Sequence, residues 1–270
     1  MQLSKPSVVF IFFFFLHFSL SAQSPLLFDV GHVHNDYNKC KPLEAALEKG
    51  FGSVEADVFL RKGQLVVAHT GIGALRMRSL EDMYFKPLAE KVRKNNGSVF
   101  KNGPKGFILM IDVKSDAEET YDSLKVLFDK YRFMLTEFTP ESTKKNAVTI
   151  LISGRRNYEQ ILSDNPRFAA IDGRLADLNS DYNIHEVPRI SAAYRSLFNW
   201  RGIRASMPES ELTLLREIVV QADSIGVELR FWGATNRKKV WETLLDAGVH
   251  RINVDRIKRF KNFKLERNQN

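Results

Sequence analysis

Ser53-Val54-Glu55-Ala56-Asp57-Val58-Phe59-Leu60 is the stretch on which the reading of this chain turns. Side chains alternate faces along a β-strand, so residues two apart share a face. Glu55 and Asp57 therefore point one way, while Val54, Ala56 and Val58 point the other. The same parity returns elsewhere. Within Ile108–Lys114, Asp112 and Lys114 share a face opposite Leu109, Ile111 and Val113. Glu228, Arg230 and Trp232 share one face of another apolar run, Asn253 and Asp255 share one in the last, and His32 and His34 share one in the first.

Moving outward, short apolar runs alternate with amphipathic stretches. Strands are expected over Leu26–His34, Ser53–Leu60, Gln64–His69, Phe107–Lys114, Ala147–Ser153, Phe168–Arg174, Arg189–Tyr194, Val227–Gly233 and Arg251–Asp255. Helices are expected over Pro42–Lys49, Ala117–Lys130, Asn157–Ser163, Glu209–Ile225 and Lys238–Ala247, with Pro42 and Pro208 where a first turn tolerates proline. Strands alternating with helices over about 250 residues predict an α/β fold, a single-domain (β/α)8 TIM barrel. No Gly-x-Gly-x-x-Gly turn follows a strand, which argues against a dinucleotide-binding sheet. Residues Thr70–Gly106 read as a long excursion from the barrel rim. The basic tail from Arg256 to Asn270 reads as solvated, or as a last helix packing Phe260 and Phe263. Its other reading is contact with an anionic membrane surface.

The chain has 270 residues with 40 basic and 32 acidic side chains, a formal charge of +8 that suits an anionic partner without selecting one. Nucleic-acid binding would rest on that charge alone and is not expected. The single cysteine, Cys40, excludes an intramolecular disulfide framework. Many of the 20 phenylalanines crowd the first twenty residues, where Lys5 precedes the apolar run Val8–Phe18 and Ser19, Ser21 and Ala22 follow. That is the layout of a secretory signal peptide, and the run is shorter than the ~18 apolar residues of a membrane span. Residues 1–22 are thus expected to direct export to a periplasmic or extracellular location, leaving residues 23–270 as the barrel domain.

If the apolar parity packs beneath the helices, the polar parity converges inside the barrel mouth, where barrel active sites lie. Carboxylates gathered there are costly unless paired or bound to a cation. Glu55, Asp57 and Asp112 then make an all-oxygen site for a hard divalent cation, Mg2+ or Ca2+. The plainer alternative is salt bridging to Lys114 and Arg230. His32 ends the first strand, and His69 ends the strand that returns after a tight Lys62-Gly63 turn. An imidazole titrates near neutrality, so the two could serve as general base and general acid beside the cation.

Taken in order, Gly-His-Val-His-Asn-Asp-Tyr (31–37), Ser-Val-Glu-Ala-Asp-Val-Phe-Leu (53–60), Val-Val-Ala-His (66–69) and Ile-Asp-Val-Lys (111–114) resemble the glycerophosphodiester phosphodiesterase superfamily of phospholipase C-like barrels. The likeness is closest to the branch that includes the altered-inheritance-of-mitochondria proteins, and the Gly-His-x-x-Asn opening also looks like that of the spider-venom phospholipases D. The resemblance implies metal ligation by Glu55, Asp57 and Asp112, acid and base roles for His32 and His69, a phosphate-orienting Lys114 and a pocket-lining Trp232. Arg230, His34 and Asn35 are the remaining substrate-binding candidates. The implied substrate is a small-molecule or lipid phosphodiester. His34, Asn35 and Asp36 depart from the His-Arg-Gly opening of many glycerophosphodiesterases, and Asp112 stands where many have Glu, so the glycerol-type substrate is less well implied than the phosphodiester chemistry.

Two other readings compete. His32-x-His34 after a first strand also looks like the metal motif of amidohydrolases, which need further histidines at later strand ends; His185 and His250 are the ones available. A barrel that binds a phosphorylated ligand without chemistry would be expected to have lost a metal carboxylate or a histidine.

Overall fold

The computed structural model describes residues 29–38, 41–101, 103 and 106–269. The expected signal segment, the start of the Leu26–His34 run and Cys40 lie outside them. No helix among the described residues is long and apolar enough to cross a membrane.

The strands in chain order are β1 (Gly31–Val33), β2 (Ser53–Arg61), β3 (Gln64–Val67), β4 (Phe107–Val113), β5 (Glu137–Phe138), β6 (Thr143–Lys144), β7 (Val148–Gly154), β8 (Ala169–Gly173), β9 (Arg189–Ala193), β10 (Glu228–Trp232) and β11 (Arg251–Val254). The sheet order β1-β11-β10-β9-β8-β7-β4-β2 is parallel throughout, and β1 also pairs with β2 through Val33 and Val54, which closes the barrel. β3 pairs antiparallel on β2 beyond the closure. The turn between them is Lys62-Gly63, both at positive φ (48° and 73°), the backbone that a two-residue hairpin demands.

The helices are α1 (Glu44–Leu47), α2 (Lys86–Lys94), α3 (Ala117–Tyr131), α4 (Tyr158–Ser163), α5 (Tyr194–Leu197), α6 (Glu209–Ser224), α7 (Lys238–Asp246) and α8 (Ile257–Arg267). Asp116 caps α3 by accepting from the backbone N–H of Glu118 and Glu119, each at 3.0 Å. The outward parity of the strands, Val54, Ala56, Val58, Leu109, Ile111, Ile150 and Ile152 among them, is buried in one continuous core under these helices. The basic tail folds as α8: Phe260 and Phe263 are buried, and Phe260 meets Trp241 of α7 edge to face at 4.9 Å. The excursion 70–106 carries α2 and the turns that lead into it.

The inward parity holds its own small apolar layer. Met110, Leu151 and Ala170 pack with Phe138 of the short β5–β6 ribbon. Ribbon and β8 are tied where Phe138 and Arg167 exchange backbone hydrogen bonds of 2.9 and 3.0 Å. Beyond that layer the interior is polar, and the polar side chains there hold the site.

Candidate active site

Arg189, Glu228 and Arg251 sit low on the inward parity, at the starts of β9, β10 and β11. Arg189 donates to Glu228 Oε2 at 2.6 Å and Arg251 to Oε1 at 2.7 Å. Burial alone would push the Glu228 carboxyl up, but the two guanidinium charges outweigh it and hold the group well below the usual carboxylate range. Glu228 thus belongs to the foundation of the barrel and not to its mouth. Above it Arg230, 2% exposed, donates to Glu55 Oε2 (2.6 Å) and Asn253 Oδ1 (2.7 Å). Asp172, fully buried, accepts from Ser153 Oγ and Ser191 Oγ, both at 2.7 Å.

At the mouth, Glu55, Asp57 and Asp112 each offer a carboxylate oxygen, and these oxygens lie within 4.8 Å of one another. Asp57 Oδ1 and Asp112 Oδ1 are buried without a hydrogen-bond partner. Unpartnered, buried carboxylate oxygens within a triad this close fit a hard cation. Lys114 Nζ satisfies only part of their charge, at 2.6 Å from Asp112 Oδ2 and 3.5 Å from Asp57 Oδ1. The crowding is visible in the acidities. Burial and the charge of Glu55 push the Asp112 carboxyl up to about 6, against the opposing pull of Lys114. Burial also disfavours the Glu55 carboxylate, but Arg230 and the hydrogen bond from His32 overcome it, so Glu55 is held low. The carboxylate of Asp112 fits because the neighbouring residue is glycine: a Cβ on Gly154 would stand 2.0 Å from Asp112 Oδ1.

The two histidines of the opening motif separate by depth. His32 is fully buried; its Nδ1 lies 2.7 Å from Ser53 Oγ and its Nε2 3.2 Å from Glu55 Oε2. Burial and the nearby Arg230 charge lower its pKa well below the usual value and favour the neutral ring. It therefore lies beneath the cavity wall, against Glu55, and is not itself part of the wall. His34 lies on the cavity wall instead, with Nδ1 2.7 Å from Asp255 Oδ1 and Nε2 3.8 Å from Glu55 Oε1. Burial works against its charged form, but the hydrogen bond to Asp255 and the charge of Glu55 outweigh it and raise the pKa. Asn236 Nδ2 in turn donates to Asp255 Oδ2 at 2.6 Å.

His69 faces the same cavity, with Nδ1 3.0 Å from Asp57 Oδ2. The buried Tyr37 hydroxyl donates to that Asp57 oxygen at 2.6 Å. Asn35, expected at the substrate, instead bridges His34 Nδ1 and the Tyr37 hydroxyl, 2.7 Å from each. Arg230 reaches the cavity only as its floor, its donors committed to Glu55 and Asn253. Lys114 and Trp232 line the wall, Trp232 being 42% exposed. Tyr37, Asn236 and Asp255 are site residues to which the sequence reading gave no role. Tyr37 lay within the opening motif, and Asp255 shares its strand face with Asn253. The histidines that an amidohydrolase scheme would need are engaged elsewhere: His185 with Thr143 (2.8 Å) and His250 with Asp223 (2.9 Å).

A carboxylate triad and two carboxylate-oriented imidazoles at the C-terminal mouth of a parallel barrel stand where such barrels carry their active sites, and define a barrel enzyme with an acid–base and cation-binding constellation. Residues 26–171 match the family described as the AIM6-like phosphodiesterase domain. The chain is 30% identical over 272 residues to altered inheritance of mitochondria protein 6 of Eremothecium gossypii, with 87% of this chain and 69% of that one covered. It is 27% identical over 263 residues to the homologue from Arthroderma benhamiae, covering 86% of this chain and 82% of that protein. In fold it is similar to glycerophosphodiester phosphodiesterases of Parabacteroides distasonis (TM-score 0.51, 15% identity, 89% of this chain and 99% of that one) and Agrobacterium tumefaciens (TM-score 0.51, 14% identity, 88% and 100%). The protein belongs to the AIM6-like phosphodiesterase family, and the reaction class is phosphoric diester hydrolysis.

Proposed function

We propose that this protein is an exported, divalent-cation-dependent phosphodiesterase that hydrolyses a glycerophosphodiester or phospholipid-type diester with a pair of histidines. The supporting observation is that Glu55 and Asp112 of the carboxylate triad and two carboxylate-oriented imidazoles, His34 and His69, line one cavity, with Asp57 buried beside them. Glu55, Asp57 and Asp112 would hold Mg2+ or Ca2+, which neutralises charge building on the phosphoryl oxygens when bound. Lys114 adds a fixed positive charge on the same side.

His34 and His69 carry the proton transfers. With Nδ1 of each ring held against Asp255 or Asp57, each Nε2 is left for the cavity. One ring takes the proton of the attacking hydroxyl, a water or a neighbouring hydroxyl of the substrate. The P–O bond to the leaving group breaks as the new one forms, and the other ring gives that oxygen its proton. His32 keeps Glu55 in place, and Tyr37 does the same for Asp57.

The test is turnover of bis(p-nitrophenyl) phosphate, glycerophosphodiesters and lysophospholipids by the full chain, with and without chelator. Chelator abolishes turnover and Mg2+ or Ca2+ restores it. His34→Ala and His69→Ala each lower kcat by about 10²–10⁴-fold, the usual contribution of a positioned acid or base. Full activity in chelator would remove the cation from the reading, and activity surviving loss of both His34 and His69 would remove the mechanism. For export, the N-terminus of the secreted protein is expected near Gln23.

A further inference from the structure

Around the mouth, three successive barrel strands end in cations: Lys114 after β4, Arg155 after β7 and Arg174 after β8. All three line the cavity, whose volume is about 790 Å³ and which Trp232 bounds from β10. Lys114 is committed to Asp112 and Asp57. The two arginines are not committed. Among the described residues neither has a carboxylate within salt-bridge distance, and the Arg155 side chain makes no hydrogen bond at all. Arg174 is braced by one contact, Nη2 to the Gly154 carbonyl at 3.3 Å. The neighbouring carboxylate, Asp177, is occupied by the Arg174 backbone N–H (2.6 Å) and the Tyr158 hydroxyl (2.7 Å).

The charges facing the cavity make the vacancy of these arginines informative. Three carboxylates holding a divalent cation keep one unit of negative charge, which Arg230 offsets. Lys114 then answers the single charge of a phosphodiester. Arg155 and Arg174 remain as a surplus on one sector of the wall, in a cavity larger than a diester fills. Guanidinium forks match phosphate and carboxylate oxygens two at a time, whereas a quaternary ammonium there would be repelled.

We infer that the β7–β8 sector is a second anion-binding subsite, so that the preferred substrate is a phosphodiester carrying a further phosphomonoester or carboxylate group on the arm that lies over Arg155 and Arg174. This rests on the phosphodiesterase reading above for the reacting centre, but the subsite itself stands on Arg155, Arg174 and the cavity.

The experiment compares p-nitrophenyl diesters that differ only in the second arm: propyl, 3-trimethylammoniopropyl, 3-carboxypropyl and 3-phosphonooxypropyl. Wild-type kcat/KM is expected to be about tenfold or more higher for the phosphate arm than for propyl, and lowest for the ammonium arm, in keeping with the added strength of charge-assisted bonds. The carboxylate arm distinguishes a general anion site from a phosphate site. Arg155→Ala, which removes no hydrogen bond within the described chain, must already lower the phosphate-to-propyl ratio, and Arg155→Ala/Arg174→Ala must bring it near one. A parallel calorimetric titration compares propane-1,3-diol bisphosphate with propyl phosphate. Tighter binding of the bisphosphate that the double variant loses, even with every diester uncleaved, would retain the subsite while refuting the phosphodiesterase reading. Equal turnover of all arms together with equal binding of the two ligands would overturn the subsite and leave the phosphodiesterase reading intact.

Discussion

Arg230 reaches across the barrel interior to Glu55, 175 positions earlier in the chain, and donates from Nη2 to Oε2 over 2.6 Å. Both side chains are all but sealed from solvent, at 3% and 4% exposure. The bond fixes one oxygen of Glu55 on the protein side and leaves the other, Oε1, toward His34 and the cavity. A buried pair of this kind contributes little relative to an apolar pair, but removing one partner strands the other charge. Arg230→Met is therefore expected to cost about 3–5 kcal/mol of unfolding free energy, the range for breaking a buried pair. Urea unfolding measures it, and Glu55→Gln in the same background should recover part of the loss. If Arg230→Met unfolds like wild type, Glu55 is neutral in the folded protein and the charge assignment fails.

The relation between His34 and Asp255 sets a pH dependence. Burial lowers the His34 pKa, and the Asp255 hydrogen bond and the Glu55 charge more than reverse this. Removing the Asp255 charge by Asp255→Asn should drop the His34 pKa, and the limb of the pH–rate profile that reports this ring should move to lower pH. The stability linkage has the same sign. A histidine whose pKa is raised on folding stabilises the fold fully below its unfolded value, about 6.5, and loses that contribution as pH rises through the folded value. The gap between wild type and Asp255→Asn should thus be wider at pH 5 than at pH 8. NMR titration of the His34 ring reads the shift directly, and an unchanged titration would separate His34 from Asp255.

The barrel was legible because a period of two is a strong signal when one parity is apolar and the other charged. Strand parity tells which side of the sheet a residue faces but not how deep it lies. His32 and His34 share a parity, yet two residues is about 6.6 Å along a strand at ~3.3 Å each. That distance separates the sealed interior at Glu55 from the open wall beside Asp255, so the opening motif pointed to the right face without telling which ring lines the cavity. Depth also misled for Glu228, which shares its face with Arg230 and Trp232 but lies at the start of β10 between Arg189 and Arg251. The β5–β6 ribbon was not legible: two-residue strands carry no periodicity, and the role of Phe138 beneath Met110 and Leu151 exists only once the barrel closes. Lys114, by contrast, could be placed from sequence because it extends the parity of Asp112 by one step.

The Arg189–Glu228–Arg251 cluster predicts an acid-sensitive foundation. The Glu228 carboxyl is held low against burial by the two guanidinium groups. A carboxyl depressed on folding contributes its stability above the unfolded pKa, about 4.3, and loses it as pH falls through the folded value. Glu228→Gln should cost about 2–3 kcal/mol at pH 7, less than the 3–5 of a fully buried break because the carboxylate is partly solvated. The difference from wild type should shrink steadily below about pH 4. Denaturant titrations at pH 7 and pH 3 check this, and a constant difference would mean that Glu228 does not change protonation between the states.

Gly154 ties the backbone of β7 directly to the carboxylate triad. Its φ of 71° lies in the left-handed region, and a Cβ there would meet Asp112 Oδ1 at 2.0 Å and the Val113 carbonyl at 2.3 Å. No side-chain rotation relieves the second contact, because its partner is backbone. Gly154→Ala must therefore shift β4 against β7 or swing the Asp112 carboxylate away from Asp57 and Glu55. The left-handed conformation itself costs an alanine about 1–2 kcal/mol. The larger effect is expected at the site: cation affinity and phosphodiester turnover should each fall about 10–100-fold, the loss seen when the supports of metal ligands are disturbed. Calorimetric titration with Mg2+ or Ca2+ beside thermal unfolding separates the two effects. A destabilised variant with wild-type cation affinity would show that Asp112 does not hold the ion.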